Sequence, residues 1–167
     1  MLSEAGQPDE ARAHYEAALV IHREVGNRNF EGVVLGNLGI LNRVEGRDSE
    51  ALQNYEEALR IHRESGDLRS VAIVLGNIGS LLGAASRPDE ARRYLAEAWE
   101  IQKQTGYKNL EINLRISLAS VEVLEGNHAE ARRLLEASLE IAREIGSPSA
   151  EDAVQDALRR LDELTGG

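Results

Sequence analysis

The amino-acid sequence predicts an all-α fold, a right-handed superhelical solenoid of antiparallel helix pairs, and two observations lead to this prediction. The first is that glycines return every 40 residues on two lattices offset by 20. The first lattice consists of Gly6, Gly46 and Gly126 with Ser86 at the missing node, and the second of Gly26, Gly66, Gly106 and Gly146. The second observation is that apolar residues recur three and four apart between these glycines, as on a helix with one buried face. Sequence periods of this length are typical of stacked helical repeats.

Each segment between two lattice positions carries the signals of one helix. In the segment that begins at Asp48, the apolar face is formed by Ala51, Tyr55, Ala58 and Leu59. A glycine at the end of a segment suits a helix C-terminus, because glycine enters the left-handed conformation without a Cβ penalty. The predicted helices are eight, at residues 8–25, 28–45, 48–65, 68–85, 88–105, 108–125, 128–145 and 149–164. Connections of two or three residues make successive helices antiparallel.

The period organises the chain as a single array over residues 1–167. The array consists of a half repeat at 1–25, full repeats at 26–65, 66–105 and 106–145, and a C-terminal capping helix at 149–164. The capping helix has an apolar stripe and a charged opposite face, as a terminal repeat needs. At the other end, residues 1–6 resemble the last turn of a helix, so the first helix has no pair partner. Its apolar side, with Tyr15 and Leu19, is therefore expected to be partly exposed.

Composition excludes several classes of function. The chain has 29 acidic and 19 basic residues and a net charge of −10, whereas sequence-independent binding of nucleic acid needs clustered lysine and arginine. It has no cysteine, which excludes disulfides and thiolate metal sites. No apolar run approaches the ~20 residues of a membrane span, and the start lacks the features of a signal peptide. We therefore expect a cytoplasmic protein that binds neither nucleic acid nor membrane.

The sequence gives no indication of catalysis. His22 and His62 occupy the same repeat position, so their spacing follows from the repeat, and no His-Glu-x-x-His motif is present to bind zinc. The carboxylates lie on outward helix faces, where water keeps them ionised, while a general acid needs a dry pocket. The glycines around Asn37 lie inside a predicted helix and do not form a phosphate loop. We expect no enzymatic activity, no catalytic residue, no metal and no cofactor.

Two segments carry a family resemblance. Residues 34–39 read Val-Leu-Gly-Asn-Leu-Gly, and residues 74–79 read Val-Leu-Gly-Asn-Ile-Gly. Each is followed by the turn position and then, in the next helix, by Tyr55 or Leu95 and by Ala58 or Ala98. This pattern resembles the tetratricopeptide repeat, and the 40-residue spacing resembles the longer variant found in kinesin light chains, LGN-type spindle adaptors and many bacterial regulators.

The resemblance implies a protein-protein interaction module whose concave wall binds a peptide of a partner protein. In similar proteins a ladder of asparagines on that wall holds the ligand backbone. Asn37 and Asn77 occupy equivalent mid-helix positions, where asparagine is a poor helix former, and a carboxamide matches the N–H and C=O groups of an extended peptide. The alternative is that each asparagine bonds its own neighbouring helix. The glycine two residues after each asparagine is expected to admit the neighbouring helix.

The predicted peptide-binding residues are Gly36, Asn37, Ile40, Arg43, Gly76, Asn77, Ser80, Asn113 and Ser117. The third repeat departs from the pattern, because Ser117 replaces the asparagine and Arg115 replaces a leucine. The lysine, asparagine and arginine constellation that binds a C-terminal carboxylate in chaperone cofactors is absent, so that ligand is not expected. A second hypothesis is a structural or self-associating segment of a larger regulatory protein, which forms a homodimer through its N-terminal helix face.

Overall fold

The computed structural model describes the backbone of residues 6–166 and the side chains of residues 10–166. The described range contains eight helices and no strand: α1 (Gly6–Glu24), α2 (Arg28–Val44), α3 (Asp48–Ser65), α4 (Leu68–Ala84), α5 (Pro88–Thr105), α6 (Lys108–Leu124), α7 (His128–Glu144) and α8 (Pro148–Thr165). Every helix begins and ends within two residues of its predicted bounds. Of the helical turn expected at residues 1–6, residues 1–5 lie outside the described range, and Gly6 is the first residue of α1.

The chain divides into two compact units, Met1–Asn77 and Ile78–Gly167, and the boundary lies within α4. In the first unit, α2 packs against both α1 and α3. In the second, α6 packs against α5, α7 and α8, and α7 also packs against α8. Each unit has its own buried apolar core. Fully buried side chains include Leu35, Tyr55 and Ile61 in the first unit and Ile112, Leu114, Val121, Val154 and Leu161 in the second.

The helix C-termini follow the glycine lattice. The described lattice glycines that follow a helix have positive φ angles, from 63° at Gly146 to 81° at Gly166. Such angles are open to glycine without steric cost. Ser86, which stands at the missing node, adopts the same conformation with a φ of 57°. The chain therefore keeps the turn geometry even where a side chain makes it unfavourable.

Small residues inside the helices admit the neighbouring helix. A Cβ placed at Gly39 would lie 2.5 Å from Cε1 of Tyr55, and one at Gly79 would lie 2.6 Å from Cγ of Leu95. Both distances are shorter than Cβ contacts in proteins, so the predicted close approach at these glycines is confirmed. The sequence analysis did not anticipate Gly32, where a Cβ would lie 2.8 Å from the ring of His62.

One type of ion pair recurs between a helix and the helix that follows it. Nη2 of Arg12 on α1 lies 2.7 Å from Oε2 of Glu45, just after α2. The equivalent arginines of the second unit, Arg92 and Arg132, likewise bind carboxylates at the end of the following helix. These two arginines belong to basic pairs in the sequence, and their ion pairs give them a structural role.

The two terminal helices differ in how they are covered. Ile21 on α1 is 56% exposed, whereas Ile61 at the equivalent position on α3 is 1% exposed. Tyr15 and Leu19 are half-buried, so the predicted partial exposure of the α1 face is confirmed. The apolar stripe of α8 is buried in a cluster with residues of α6 and α7. The last helix therefore covers the second unit, while α1 leaves apolar surface open.

Candidate functional site

The outward face of α2 carries exposed apolar side chains around a glycine and an asparagine. Val33, Ile40 and Val44 are exposed by 43–74%, and Gly36 and Asn37 are half-buried between them. A Cβ placed at Gly36 would meet no atom within 4 Å, so the backbone is open to solvent there. Neighbouring exposed apolar residues on a charged helical protein indicate a contact surface.

Asn37 and Asn77 lie at equivalent positions of α2 and α4, in the first unit, and both are half-buried. Neither carboxamide forms a hydrogen bond with another described residue, so the alternative in which each bonds its neighbouring helix finds no support in the described range. The donors and the acceptor of each carboxamide are therefore not used by other described residues. On α4, Gly76 is half-buried beside Asn77 and Ile73 is exposed, which repeats the arrangement on α2.

Arg43 places a positive charge at the C-terminal end of the α2 face, where its side chain is exposed. Burial raises the pKa of the Tyr55 phenol, and the charge of Arg43 offsets part of that rise. The Tyr55 hydroxyl is itself buried without a hydrogen-bond partner among the described residues. Gly36, Ile40 and Arg43 follow one another along one side of the helix, so they form a continuous strip.

The predicted residues of the second unit are separated by the structure. Ser80 lines a cavity of about 540 Å³ between the last turn of α4, the second half of α6 and much of α8. Asn113 is exposed and Ser117 is half-buried, and neither lines that cavity. Leu135 of α7 also lines it. Sequence reasoning missed the cavity because helices that are not consecutive in the chain form it.

The walls of this cavity are mostly apolar. Ile116, Val123 and Leu124 line it from α6, and Leu164 lines it from α8. Small residues at several other lining positions, such as Gly83, leave the space open. One repeated feature of the sequence could have predicted the cavity. Positions 84, 124 and 164 are equivalent in the 40-residue period, and each holds an apolar or small residue.

Arg115, which replaces the leucines at positions 35 and 75, is accommodated by packing. Its guanidinium lies 5.2 Å from the centroid of the Trp99 ring, and Nη2 donates to Oε1 of Glu111 at 2.9 Å. A cation over an aromatic face and a carboxylate partner together stabilise a charge at a half-buried position. Arg115 is therefore a packing residue of the second unit.

Two further features bear on chemistry. Among the described side chains, no group of three or more histidine, aspartate or glutamate residues is arranged to hold a metal ion. None of the helices in the described range is sufficiently long and apolar to cross a membrane.

Paired helices on one sequence lattice, with open polar and apolar positions on their outward faces, define a helical-repeat protein. The profile of the tetratricopeptide repeat matches residues 1–64, 34–104 and 70–144, and the chain belongs to this family. The predicted family is thereby confirmed. Tetratricopeptide repeats generally mediate protein-protein interactions and are typically non-catalytic scaffolds.

A solved structure supports the same fold. The crystal structure of BtubC (BKLC) from P. vanneervenii is similar to this chain with a TM-score of 0.71 and 18% sequence identity, over 98% of this chain and 76% of that chain. At this identity the likeness concerns the fold alone, and it confirms the predicted class, an all-α solenoid of antiparallel helix pairs. None of the curated proteins compared with the chain matches it.

Proposed function

We propose that this protein is an interaction module that binds an extended peptide segment of a partner protein along the outward faces of α2 and the first part of α4. In the tetratricopeptide fold the corresponding helices line the concave groove. The observation that carries the proposal is the pair of equivalent carboxamides, Asn37 and Asn77, which are half-buried and bond no other described residue. Their repetition matches a ligand that presents the same backbone groups more than once.

The chemistry of this face suits an extended chain. An extended backbone presents N–H and C=O groups that a carboxamide binds as donor and acceptor, each bond contributing about 0.5–1.5 kcal/mol net. Val33, Ile40 and Ile73 offer apolar surface to the ligand side chains, and Gly36 lets its backbone approach. Arg43 lies at one end of this face.

The test is a random-peptide display selection on the full chain, with affinities then measured on the Asn37→Ala/Asn77→Ala variant. We expect helix content to stay unchanged, because the removed carboxamides bond no described residue. Affinity should fall by roughly tenfold or more, as loss of two hydrogen bonds implies. The control is Asn54→Ala/Asn109→Ala, which removes two carboxamides elsewhere and should bind normally. Peptides that bind the Asn37→Ala/Asn77→Ala variant as tightly as the parent protein would contradict the proposal.

A second candidate function, self-association, is favoured by the α1 face. Val20, Ile21 and Val25 are exposed by 55–68%, and a second copy of the chain would bury them by placing the same face against itself. Light scattering over a wide concentration range should then show a dimer that Ile21→Glu converts to a monomer. A monomer at all concentrations would exclude this candidate.

We further propose a cytoplasmic protein without enzymatic activity that does not bind nucleic acid. The absence of cysteine fits a reducing compartment, where disulfides are not used for stability. The net charge of −10 opposes binding to phosphate backbones. A nucleic-acid binding assay at low salt should therefore give no signal.

A further inference from the structure

The polar groups of the second unit's cavity are almost all engaged. The Ser120 hydroxyl donates to the backbone carbonyl one turn earlier at 3.1 Å, and Ser80 also has a partner. The Asp156 carboxylate accepts a hydrogen bond from Arg159. Arg160 also lines the cavity, but its guanidinium forms no hydrogen bond or ion pair with any described residue.

Because few polar groups of the cavity are available for hydrogen bonds, the conformation of a ligand is restricted. An extended peptide buried in the cavity would leave backbone N–H and C=O groups without partners, which costs about 1–3 kcal/mol for each group. A helix satisfies these groups within itself. The cavity lacks the unbonded carboxamides that the α2 face offers, so it favours a helical ligand.

The shape and the walls of the cavity agree with this selection. Its volume of about 540 Å³ lies within the range of about 300–1,000 Å³ that ligand sites occupy. Leu124 and Leu164, on its walls, are 50% and 66% exposed. The apolar face of an amphipathic helix, with anchors three and four residues apart, is the type of segment that covers such a groove.

The charged side chains that line the cavity determine which charged residue of a ligand would complement it. The charge of Asp156 is neutralised by its ion pair with Arg159, which leaves Arg160 as the uncompensated charge of the lining. A carboxylate forms bidentate hydrogen bonds with a guanidinium. An acidic side chain beside the apolar anchors would therefore complement this wall.

We propose that the cavity lined by α4, α6 and α8 binds an amphipathic helix of a partner protein. The helix buries its apolar face against the cavity walls and pairs one acidic side chain with Arg160. This site shares with the proposed function only the requirement for a protein partner. It does not depend on Asn37 or Asn77, which belong to the other unit.

The test is a display selection on the full chain with a library of helical 16-residue peptides. The library varies apolar residues at the anchor positions, and it offers glutamate, glutamine or lysine at each flanking position. We expect peptides selected on the parent protein to carry glutamate at one flanking position. Arg160→Glu should weaken these peptides by about tenfold, the factor that 1.4 kcal/mol corresponds to, and should select lysine at the same position.

Two further variants locate the binding site. Ser120→Trp places a large ring in the cavity from an exposed position and should abolish binding, while Gln155→Trp, on an exposed part of α8 outside the cavity, should leave it intact. Arg93→Glu makes the same charge change on an exposed position of α5 and should have little effect. The proposal would be overturned if the library yields no binder, or if the affinity of the binders is unchanged by the substitutions at Arg160 and Ser120. Binders that respond to Asn37→Ala/Asn77→Ala instead would overturn it while supporting the α2 site.

Discussion

The repeat at 26–65 in the first unit and the repeat at 106–145 in the second share one lattice but fill it differently. In the first, Gly39 lies against the ring of Tyr55, so closely that a Cβ would overlap it. The equivalent residues in the second are Ala119 and Leu135, and both are buried. A smaller partner in α7 thus accompanies a larger residue in α6. The two repeats thus distribute volume differently between their helices, whereas in the repeat between them the glycine is kept and Gly79 faces Leu95.

A second pair of positions shows this difference in its extreme form. Gly32 in α2 contacts the large ring of His62 in α3. At the equivalent positions in the second unit, Ile112 is the large residue of α6 and Ala142 the small residue of α7, and both belong to one buried cluster. The large side chain has moved from one helix to the other. At this pair of positions a change in one helix is accompanied by the opposite change in the other.

The outward faces of the two repeats differ without such compensation. Gly36 and Asn37 on α2 correspond to Ile116 and Ser117 on α6. The first pair leaves an open backbone and an unbonded carboxamide, while Ile116 contributes to an apolar cavity. A Cβ at Gly36 would meet no atom within 4 Å, whereas Ile116 packs partly against the core cluster of the second unit. Each of the two proposed binding sites includes one of these positions.

The largest expected effect comes from breaking the volume exchange at Gly39. Gly39→Ala should destabilise the protein by about 1–3 kcal/mol, because the added Cβ forces the buried Tyr55 ring to move. In a Tyr55→Leu background, which reproduces the pair Ala119 and Leu135, the same substitution should cost less, because alanine and leucine are buried together at that pair. Helix propensity offsets part of the remaining cost, since alanine is the better helix former by about 1 kcal/mol. Urea unfolding followed by circular dichroism measures the stability of the four proteins in this double-mutant cycle: the parent, the two single variants and the double variant.

Gly36→Ala is the matched control for this cycle. It adds the same methyl group three residues earlier in the same helix, where no atom lies within 4 Å. It should stabilise the protein by up to about 1 kcal/mol through helix propensity alone. If Gly39→Ala costs the same in both backgrounds, the exchange of volume between the helices is wrong.

A smaller effect is expected at the turn after the first helix of a pair, where Gly46 in the first unit corresponds to Ser86 in the second. Both have positive φ angles, 74° and 57°. A residue with a Cβ pays about 1–2 kcal/mol for this conformation, and glycine loses about 0.5–1 kcal/mol more backbone entropy on folding. Ser86→Gly should therefore stabilise by about 0.5–1 kcal/mol, and Gly46→Ser should destabilise by a similar amount.

The pair of substitutions provides its own control. A Cβ at Gly46 would meet no atom within 4 Å, so its effect reports the backbone conformation alone. Urea midpoints that move in opposite directions agree with this explanation. Midpoints that move in the same direction would contradict it.

Local signals account for what the sequence predicted well. Helix bounds follow from periodic apolar residues and from lattice glycines, and both signals act within a few residues of the chain. The close approach at Gly39 and Gly79 also followed from a local signal, the repeated glycine inside a predicted helix. The ring of Trp99 beneath Arg115 was not predicted, because it depends on which side chains meet across two helices. The cavity lined by Arg160 was missed for the same reason. The binding roles of Asn37 and Asn77 stay predictions, because a ligand defines them.

The smallest expected effect is a dependence of stability on pH that His62 gives to the first unit. Burial lowers the pKa of the His62 imidazole, and Asp67, whose Oδ2 lies 4.0 Å from Nδ1, and the Gly32 backbone offset part of this shift. The unfolded chain, with a histidine pKa of about 6.5, then binds the proton more tightly than the folded protein. The stability that neutral His62 contributes is complete above that pKa and is lost as the pH falls below it.

The second unit has no titratable residue at the equivalent position, where Ala142 stands, so the pH dependence should disappear when His62 is replaced. Urea unfolding between about pH 7.5 and 5.5 brackets the histidine pKa and keeps ionised the carboxylates whose pKa is lowered, such as Glu31 and Asp67. We expect the free energy of unfolding to fall toward pH 5.5 in the parent protein and to stay nearly level in His62→Gln, which carries the residue found at position 102. An equal slope in both proteins would show that another group is responsible, and a slope of opposite sign would show that His62 is stabilised in its protonated form.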